Sequence, residues 1–195
     1  MPNVPAHTTV SLLEAIDANT QRARTLASGL SRQQFNWQPA AGVWSIGQNL
    51  GHLNILDGKA SLEAIRTSVA QGRAAGCTGT GPFRCGVVAA KFVGSQMPPV
   101  TKKFKAPKAF EARPDLVPEA TLAEYLGSSA ELRELVKSAD GLDLTRIRTI
   151  LPALPALLRP ILKMSLVARL ALLTTHDARH FWQIEQIRQR ADFPK

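Results

Sequence analysis

Apolar side chains recur every three to four residues over four long segments of this chain, and this helical period constrains the fold more than any other feature. The segments cover residues 8–28, 45–71, 118–141 and 160–190, and the last has no glycine or proline after its first residue. Each predicted helix therefore carries one apolar face. Because four such faces are buried most economically against one another, we predict an all-α four-helix bundle, formed by residues 1–195 as one domain.

Helix starts and ends are marked by residues that typically cap helices. Three serines are followed three positions later by Glu or Gln, which is the spacing of a capping box: Ser11 with Glu14, Ser31 with Gln34, and Ser45 with Gln48. Gly29 and Gly141 are placed to end the first and third helices, and Pro118 suits the first turn of the third. These residues predict the order of the helices independently of the apolar period.

Residues 72–118 differ in composition from the helical segments on either side, since they hold six glycines and six prolines. We predict a long connection here, between the second and third helices. Structureless connections beyond about 12–15 residues are uncommon in compact domains. We therefore expect residues 83–92 to form a short element of their own.

Composition places the chain among globular proteins rather than membrane-spanning or disordered ones. Apolar residues make up 45% of the chain and charged residues 20%. The longest apolar stretch, residues 161–173, is interrupted by Lys163, Ser165 and Arg169 and falls short of the roughly 20 residues that span a bilayer. We expect no membrane crossing and no membrane partner. The first residues lack a secretory pattern, and Cys77 and Cys85 are expected to be free thiols, so we expect a cytoplasmic protein.

The chain is strongly basic, with a net charge of +9 and a pI near 10.2. Such a charge suits an anionic partner: nucleic acid, a membrane surface, or a phosphorylated or carboxylated small molecule. Residues 101–108 interleave four lysines with one aromatic residue: Lys102, Lys103, Phe104, Lys105 and Lys108. Such a run is usually a solvated, mobile face. The alternative is that it closes over a functional site and attracts an anionic thiol.

Three of the four histidines lie on predicted helices where they can meet. His176 and His180 are four residues apart and share nearly one face of the last helix. His52 lies on the second helix, at the margin of its apolar face. Neutral imidazole is a good ligand for zinc, nickel or ferrous iron, and three such ligands leave a position open for water, thiol or substrate. A histidine pair at this spacing is more often a surface or core feature, so both interpretations stand on spacing alone.

Several neighbours of the histidines invite smaller predictions. Asn49, Gln48 and Asp177 could hydrogen-bond the second nitrogen of a ligand histidine, although the position of Asp177 favours a salt bridge with another helix. The two nearby tryptophans, Trp44 and Trp182, are expected to be core anchors rather than substrate platforms. Two roles stay open for Arg169, which could bind a substrate carboxylate or reach solvent. His7 is expected to lie in a frayed terminus and to take no part in the site.

Two sequence motifs resemble those of the DinB-like superfamily. Residues 44–53, WSIGQNLGHL, resemble its tryptophan-to-histidine motif, and residues 176–186, HDARHFWQIEQ, look like its C-terminal motif. The resemblance implies a four-helix bundle whose three motif histidines bind nickel, zinc or a similar ion. In this sequence those positions are His52, His176 and His180.

The resemblance also implies an activity, because similar proteins include metal-dependent transferases and isomerases that use low-molecular-weight thiols such as bacillithiol or mycothiol. We therefore expect a metal-dependent thiol transferase, or a hydrolase using water, acting on a small electrophile. A homodimer is common among proteins it resembles. The alternative is a non-enzymatic, stress-related protein that binds nucleic acid or an acidic partner. The sequence argues against nucleic acid, since no helix-turn-helix pattern is recognisable and aromatic residues are only 6%.

Overall fold

Seven α-helices account for most of the computed structural model, which describes residues 4–100, 106–153, 157–158 and 162–195. In chain order the elements are α1 (Thr9–Ala27), α2 (Arg32–Asn36), α3 (Ile46–Asp57), α4 (Lys59–Ala74), α5 (Val87–Gln96), a 3-10 helix (Lys108–Phe110), α6 (Pro118–Ser138), β1 (Arg148–Thr149), β2 (Met164–Ser165) and α7 (Leu166–Arg188). The strands are two residues each and pair antiparallel. The predicted all-α class is confirmed.

The long helices pack as the predicted bundle, with α3 and α4 together taking the place of one predicted helix. Helix α1 packs against α6 and α7, α3 packs against the same two helices, and α4 packs against α6. Their inward faces form two large apolar clusters, one around Leu144 and Leu166 and the other around Phe35, Leu50 and Phe181. The apolar period in the sequence therefore identifies the faces that the bundle buries.

The second predicted helix, residues 45–71, is interrupted at Gly58, so a continuous helix there was wrong. Gly58 has extended backbone angles and serves as the first residue before α4. A Cβ on Gly58 would lie 2.5 Å from the carbonyl oxygen of Asn54, which is closer than any side chain tolerates. The chain therefore bends where Asp57 ends α3, and Asp57 remains buried.

The long connection is more structured than the sequence indicates. Helix α4 extends to Ala74, and a helix does form in the connection, but it covers Val87–Gln96 rather than residues 83–92. Phe83 instead pairs with His7 through two backbone hydrogen bonds of 2.8 and 2.7 Å. His7 is therefore held in place, and the expectation that it lies in a frayed terminus was wrong. Helix α5 packs along α7.

The helix starts follow the predicted caps with one exception, at α1. The boxes at Ser31 and Ser45 are confirmed, whereas α1 is capped by Thr8 with Ser11 rather than by Ser11 with Glu14. Helix α7 begins at Leu166, because Met164 and Ser165 pair with β1. The predicted start at residue 160 lies outside the described residues, as do Lys102, Lys103, Phe104 and Lys105. Within the described part of the chain, no helix is both long and apolar enough to cross a bilayer.

Candidate metal centre

His52 of α3 and His176 and His180 of α7 converge at one point inside the bundle. The Nε2 atoms of His176 and His180 are 3.2 Å apart. One candidate ligand atom from each of the three histidines lies within 4.8 Å of the other two. Both His52 and His180 are 5% exposed, and His176 is half-buried. The three side chains singled out in the sequence are therefore together in space.

Asn49, one turn before His52 on α3, orients His180. The Nδ2 group of Asn49 donates to the carbonyl oxygen of Ser45 at 2.8 Å, so its Oδ1 atom faces His180. His180 Nδ1 lies 2.8 Å from that oxygen and must be the donor. The lone pair of His180 is therefore on Nε2, the atom that faces His176. The prediction that Asn49 supports a ligand histidine is confirmed.

The long connection supplies the corresponding partner of His52. His52 Nδ1 lies 2.7 Å from the carbonyl oxygen of Phe110, at the end of the 3-10 helix. Since a carbonyl only accepts, Nδ1 carries the proton and Nε2 carries the lone pair. Sequence analysis missed this contact, and no local pattern could have found it, because the backbone oxygen of any residue would serve.

Burial keeps all three imidazoles neutral. Loss of solvent lowers the pKa of His176 to about 3, with smaller contributions from His52, Arg179 and Arg169. Burial likewise lowers the pKa of His180 well below 6.5, assisted by the neighbouring histidines and Arg179. Burial also lowers the pKa of His52, although its hydrogen bond to Phe110 opposes the shift. Neutral imidazoles with free lone pairs are the form that binds metal ions.

The geometry fits one divalent ion. A tetrahedral zinc ion at about 2.1 Å from each nitrogen separates its ligand atoms by about 3.4 Å. The His176–His180 pair, at 3.2 Å, is close to that value. Because one ring nitrogen of each histidine lies within 4.8 Å of the other two, a side-chain shift of roughly 1 Å brings the three nitrogens into bonding distance of a common centre. Three protein nitrogens would leave at least one coordination position open.

Trp44 lies against the histidines and not in the apolar core. Its ring is stacked on that of His180, with centroids 5.9 Å apart and an interplanar angle of 18°. The centroid of the His52 ring is 4.9 Å away, tilted by 55°. Trp44 and Trp182 are both half-buried and neither belongs to an apolar cluster of the described residues, so the expectation that they anchor the core was wrong. Trp44 shields one side of the cluster while remaining partly open to solvent.

Gln48, Asp177 and Arg169 have other roles than those expected. Gln48 caps α3 by accepting from the backbone N–H of Ser45 at 3.1 Å. Asp177 accepts a 2.7 Å hydrogen bond from the hydroxyl of Tyr125 and makes neither a histidine contact nor a salt bridge among the described residues. Arg169 is 6% exposed and donates to Ser61 Oγ at 2.6 Å, so it does not reach solvent.

Asp57 completes a second buried polar group with these residues, which we call the carboxylate cluster: Ser61, Tyr125, Arg169, Asp177 and Asp57. Burial raises the pKa of Asp57 to about 6, although its hydrogen bond with Asp177 and the charge of Arg169 oppose the shift. Burial and the neighbouring Asp57 raise the pKa of Asp177 well above its usual range. Sequence analysis missed Asp57, although an acid one turn past Leu53 on an apolar face is a detectable signal.

Arg179 ties α5 to the histidine cluster. Its side chain is 4% exposed, and Nη1 donates to the carbonyl oxygen of Ser95, near the end of α5, at 3.3 Å. Its charge contributes to lowering the pKa of both His176 and His180. The connection between α4 and α6 therefore reaches the cluster twice, at Arg179 and at His52.

Comparison with known proteins agrees with the motifs. Residues 15–184 match the DinB superfamily. The match spans most of the 195 residues and includes all three clustered histidines. No curated protein and no solved structure matches the chain. On the extent of the family match, this chain belongs to the DinB superfamily.

Proposed function

We propose that this protein binds one divalent ion, nickel or zinc, through Nε2 of His52, His176 and His180, and is an enzyme that uses it. The single observation that carries the proposal is the convergence of three neutral imidazoles, with one ring nitrogen of each within 4.8 Å of the other two. Two of the three have their other nitrogen occupied by an oxygen, as ligand histidines usually do.

The proposed reaction joins a low-molecular-weight thiol, or water, to a small electrophile. When bound, a divalent ion supplies a Lewis acid that lowers the pKa of a thiol or water molecule. The protein contributes orientation through Asn49 and the Phe110 carbonyl, and a wall of low polarity through Trp44. With thiol as nucleophile the protein is a transferase, and with water it is a hydrolase.

The cytoplasm is the proposed setting. Cys77 and Cys85 are both free thiols and half-buried. A reducing compartment keeps such thiols reduced and also maintains the pool of small thiols that the proposed reaction consumes.

Metal content of the purified, untagged protein tests the site before any substrate is known. We expect about one equivalent of nickel or zinc in the wild type and a large loss in His52→Ala, His176→Ala and His180→Ala. His7→Ala is the matched control, because His7 is partly buried and lies outside the cluster. Equal metal content in the control and the three cluster variants would refute the site.

Turnover tests the reaction. Metal-loaded protein is incubated with a small thiol and a model electrophile such as 1-chloro-2,4-dinitrobenzene or an epoxide, with and without a chelator. A transferase requires both thiol and metal, whereas a hydrolase consumes an ester or amide without thiol. Turnover that survives chelation and His180→Ala would contradict both forms of the proposal.

A further inference from the structure

The positive charge of this chain is concentrated in two segments. Residues 79–110 and 144–176 hold 11 of the 24 lysines and arginines and none of the 15 acidic residues. The rest of the chain has 13 basic against 15 acidic residues and is close to neutral. The net charge of +9 is therefore a property of these two segments and not of the whole surface.

The two segments are neighbours in the fold. Ala90 and Val93 of α5 pack in one small apolar cluster with Leu151 and Met164, which flank the connection between the two strands. That cluster rests on α7 through Ala171 and Leu172. Basic residues far apart in sequence, such as Arg84, Lys91, Arg148 and Lys163, therefore lie on the segments that form this cluster, and all four are exposed.

The outer face of α5 is apolar where a solvent-facing helix is ordinarily polar. Val87 is 71% exposed, Val88 is 84% exposed and Phe92 is 51% exposed. Three more exposed apolar side chains lie in the connection between β1 and β2: Leu157, Leu158 and Leu162, which are 83%, 39% and 49% exposed. Among the described residues, seven of the eleven exposed large apolar side chains lie in the two basic segments, the seventh being Met97. Contiguous exposed apolar side chains on a folded domain usually mark an interaction surface.

Basic and apolar side chains without acidic ones match an anionic lipid surface. Lysine and arginine are attracted to the headgroups, and valine, leucine and phenylalanine enter the boundary with the acyl chains. Nucleic acid would use the charge but would leave exposed valines and leucines without a role, because it is bound through phosphates and aromatic stacking. The apolar component therefore decides between the two anionic partners.

We propose that the surface formed by Val87, Val88, Lys91, Phe92, Leu162 and Lys163 adsorbs to membranes that contain anionic phospholipids. No helix has to cross the bilayer, since the contact is made by side chains at the surface. This departs from the expectation of no membrane partner and takes up instead the membrane surface that the net charge also suits. The inference does not rest on the proposed metal chemistry.

Cosedimentation of the full chain with vesicles tests the proposal. Vesicles of phosphatidylcholine alone are compared with vesicles that contain roughly 30% phosphatidylglycerol, at about 0.1 M salt. We expect binding to the anionic vesicles only, weakened at about 0.5 M salt. Equal binding to both vesicle types, or to neither, would overturn the proposal.

Two pairs of variants separate the apolar and charged contributions. Val88→Ser with Phe92→Ser removes apolar contact, and Lys91→Glu with Lys163→Glu reverses charge; each pair is expected to reduce vesicle binding roughly tenfold or more. The matched controls are Val10→Ser and Lys59→Glu, which alter exposed residues on α1 and α4. The controls should bind like the wild type, and variants that also do so would contradict the assignment.

Two further measurements distinguish the competing partners. If the protein binds double-stranded DNA but not vesicles, and only the charge variant weakens that binding, the surface belongs to nucleic acid and the membrane proposal fails. His180→Ala is expected to bind anionic vesicles like the wild type, provided its circular dichroism is unchanged. The metal content of the protein therefore tests the metal site, and vesicle binding tests the membrane surface, so that one proposal can fail without the other.

Discussion

Helix α7 contributes to two buried polar clusters that respond differently to the loss of water. In the histidine cluster, burial favours the neutral base, and two side chains have a partner that fixes the orientation of the ring. In the carboxylate cluster, burial disfavours the charged acid. When both acids are charged, four of its buried atoms have no hydrogen-bond partner among the described groups: both carboxylate oxygens of Asp57, Oδ1 of Asp177 and Nε of Arg169. The two carboxyl groups satisfy each other only when one is protonated.

The difference suggests different roles. A neutral imidazole is cheap to bury, so three can converge with their lone pairs ready for a ligand. Buried charges cost several kcal/mol each, and such clusters are often retained because they specify a geometry. The carboxylate cluster joins the α3–α4 junction, α6 and α7, which are the helices whose register sets the distance from His52 to the other two histidines. We expect the histidine cluster to bind a ligand and the carboxylate cluster to hold the helices in place.

The largest expected effect is on stability, from removing the cation of the carboxylate cluster. Arg169→Met leaves the buried Asp57 and Asp177 without the positive charge that opposes the rise in the pKa of Asp57, and we expect the free energy of unfolding to fall by about 3 kcal/mol or more. Arg133→Met is the matched control, because it breaks an exposed ion pair with Asp17 and should cost about 1 kcal/mol or less. Urea unfolding measures both. Equal losses would remove the structural role assigned to the carboxylate cluster.

The two clusters should give opposite pH dependences in the metal-free protein. As pH falls below 6.5, the unfolded chain protonates at His176, whereas the folded chain resists until about pH 3, so this histidine makes stability fall. Asp57, with a folded pKa of about 6 against an ordinary 3.8, takes up its proton earlier in the folded chain, so it makes stability rise as pH falls.

Single variants resolve these opposing contributions. Between pH 6.5 and 4 the His176 contribution alone is about 3 kcal/mol, so His176→Gln should lose stability less steeply on acidification than the wild type. Asp57→Asn should lose it more steeply. Urea unfolding at several pH values measures the slopes, and slopes that do not separate in these directions would contradict the comparison.

A smaller effect is expected on metal affinity, from removing the partner of His180. Asn49→Ala leaves the ligand atoms in place but releases the ring, and loss of such a partner typically weakens metal binding by about 10- to 100-fold. Competition with a chromophoric chelator measures the affinity. Asn49→Asp provides the rescue, because a carboxylate oxygen at the same position accepts from Nδ1. An affinity unchanged in Asn49→Ala would mean that the ring is held by packing alone.

The smallest expected effect is that of the Tyr125 hydroxyl. Tyr125→Phe keeps the ring, which packs edge-on against Phe181 at 5.4 Å, and removes the hydroxyl that donates the 2.7 Å hydrogen bond to Asp177. We expect a loss of about 1–2 kcal/mol in unfolding free energy and little change in metal affinity. A variant that binds metal much more weakly at unchanged stability would place Tyr125 with the binding cluster instead.

Much of the candidate site was predictable because its components are local. The four-residue spacing of His176 and His180 places them on one helix face, whatever the rest of the fold does. The capping box at Ser45 determines where α3 begins, and hence where Asn49 and His52 lie relative to that start. The apolar period identified the buried faces for the same reason.

The parts that could not be predicted depend on contacts between residues far apart in sequence. The Phe110 carbonyl reaches His52 across 58 positions, and Asp177 meets Tyr125 across 52. Nothing near residue 110 marks its oxygen as a partner, and the position of Asp177 on its helix favoured a salt bridge that the fold does not make among the described residues.

The sequence by itself therefore determined the long helical segments, their buried faces and the three candidate histidines, since capping and periodicity act within a few residues along the chain. Only the tertiary structure decided that α3 ends at Asp57, that the long connection supports the histidines, and that two carboxyl groups share one buried cluster. The physical reason is that the pKa of a side chain, and the partner that satisfies it, are set by whatever the fold packs against it.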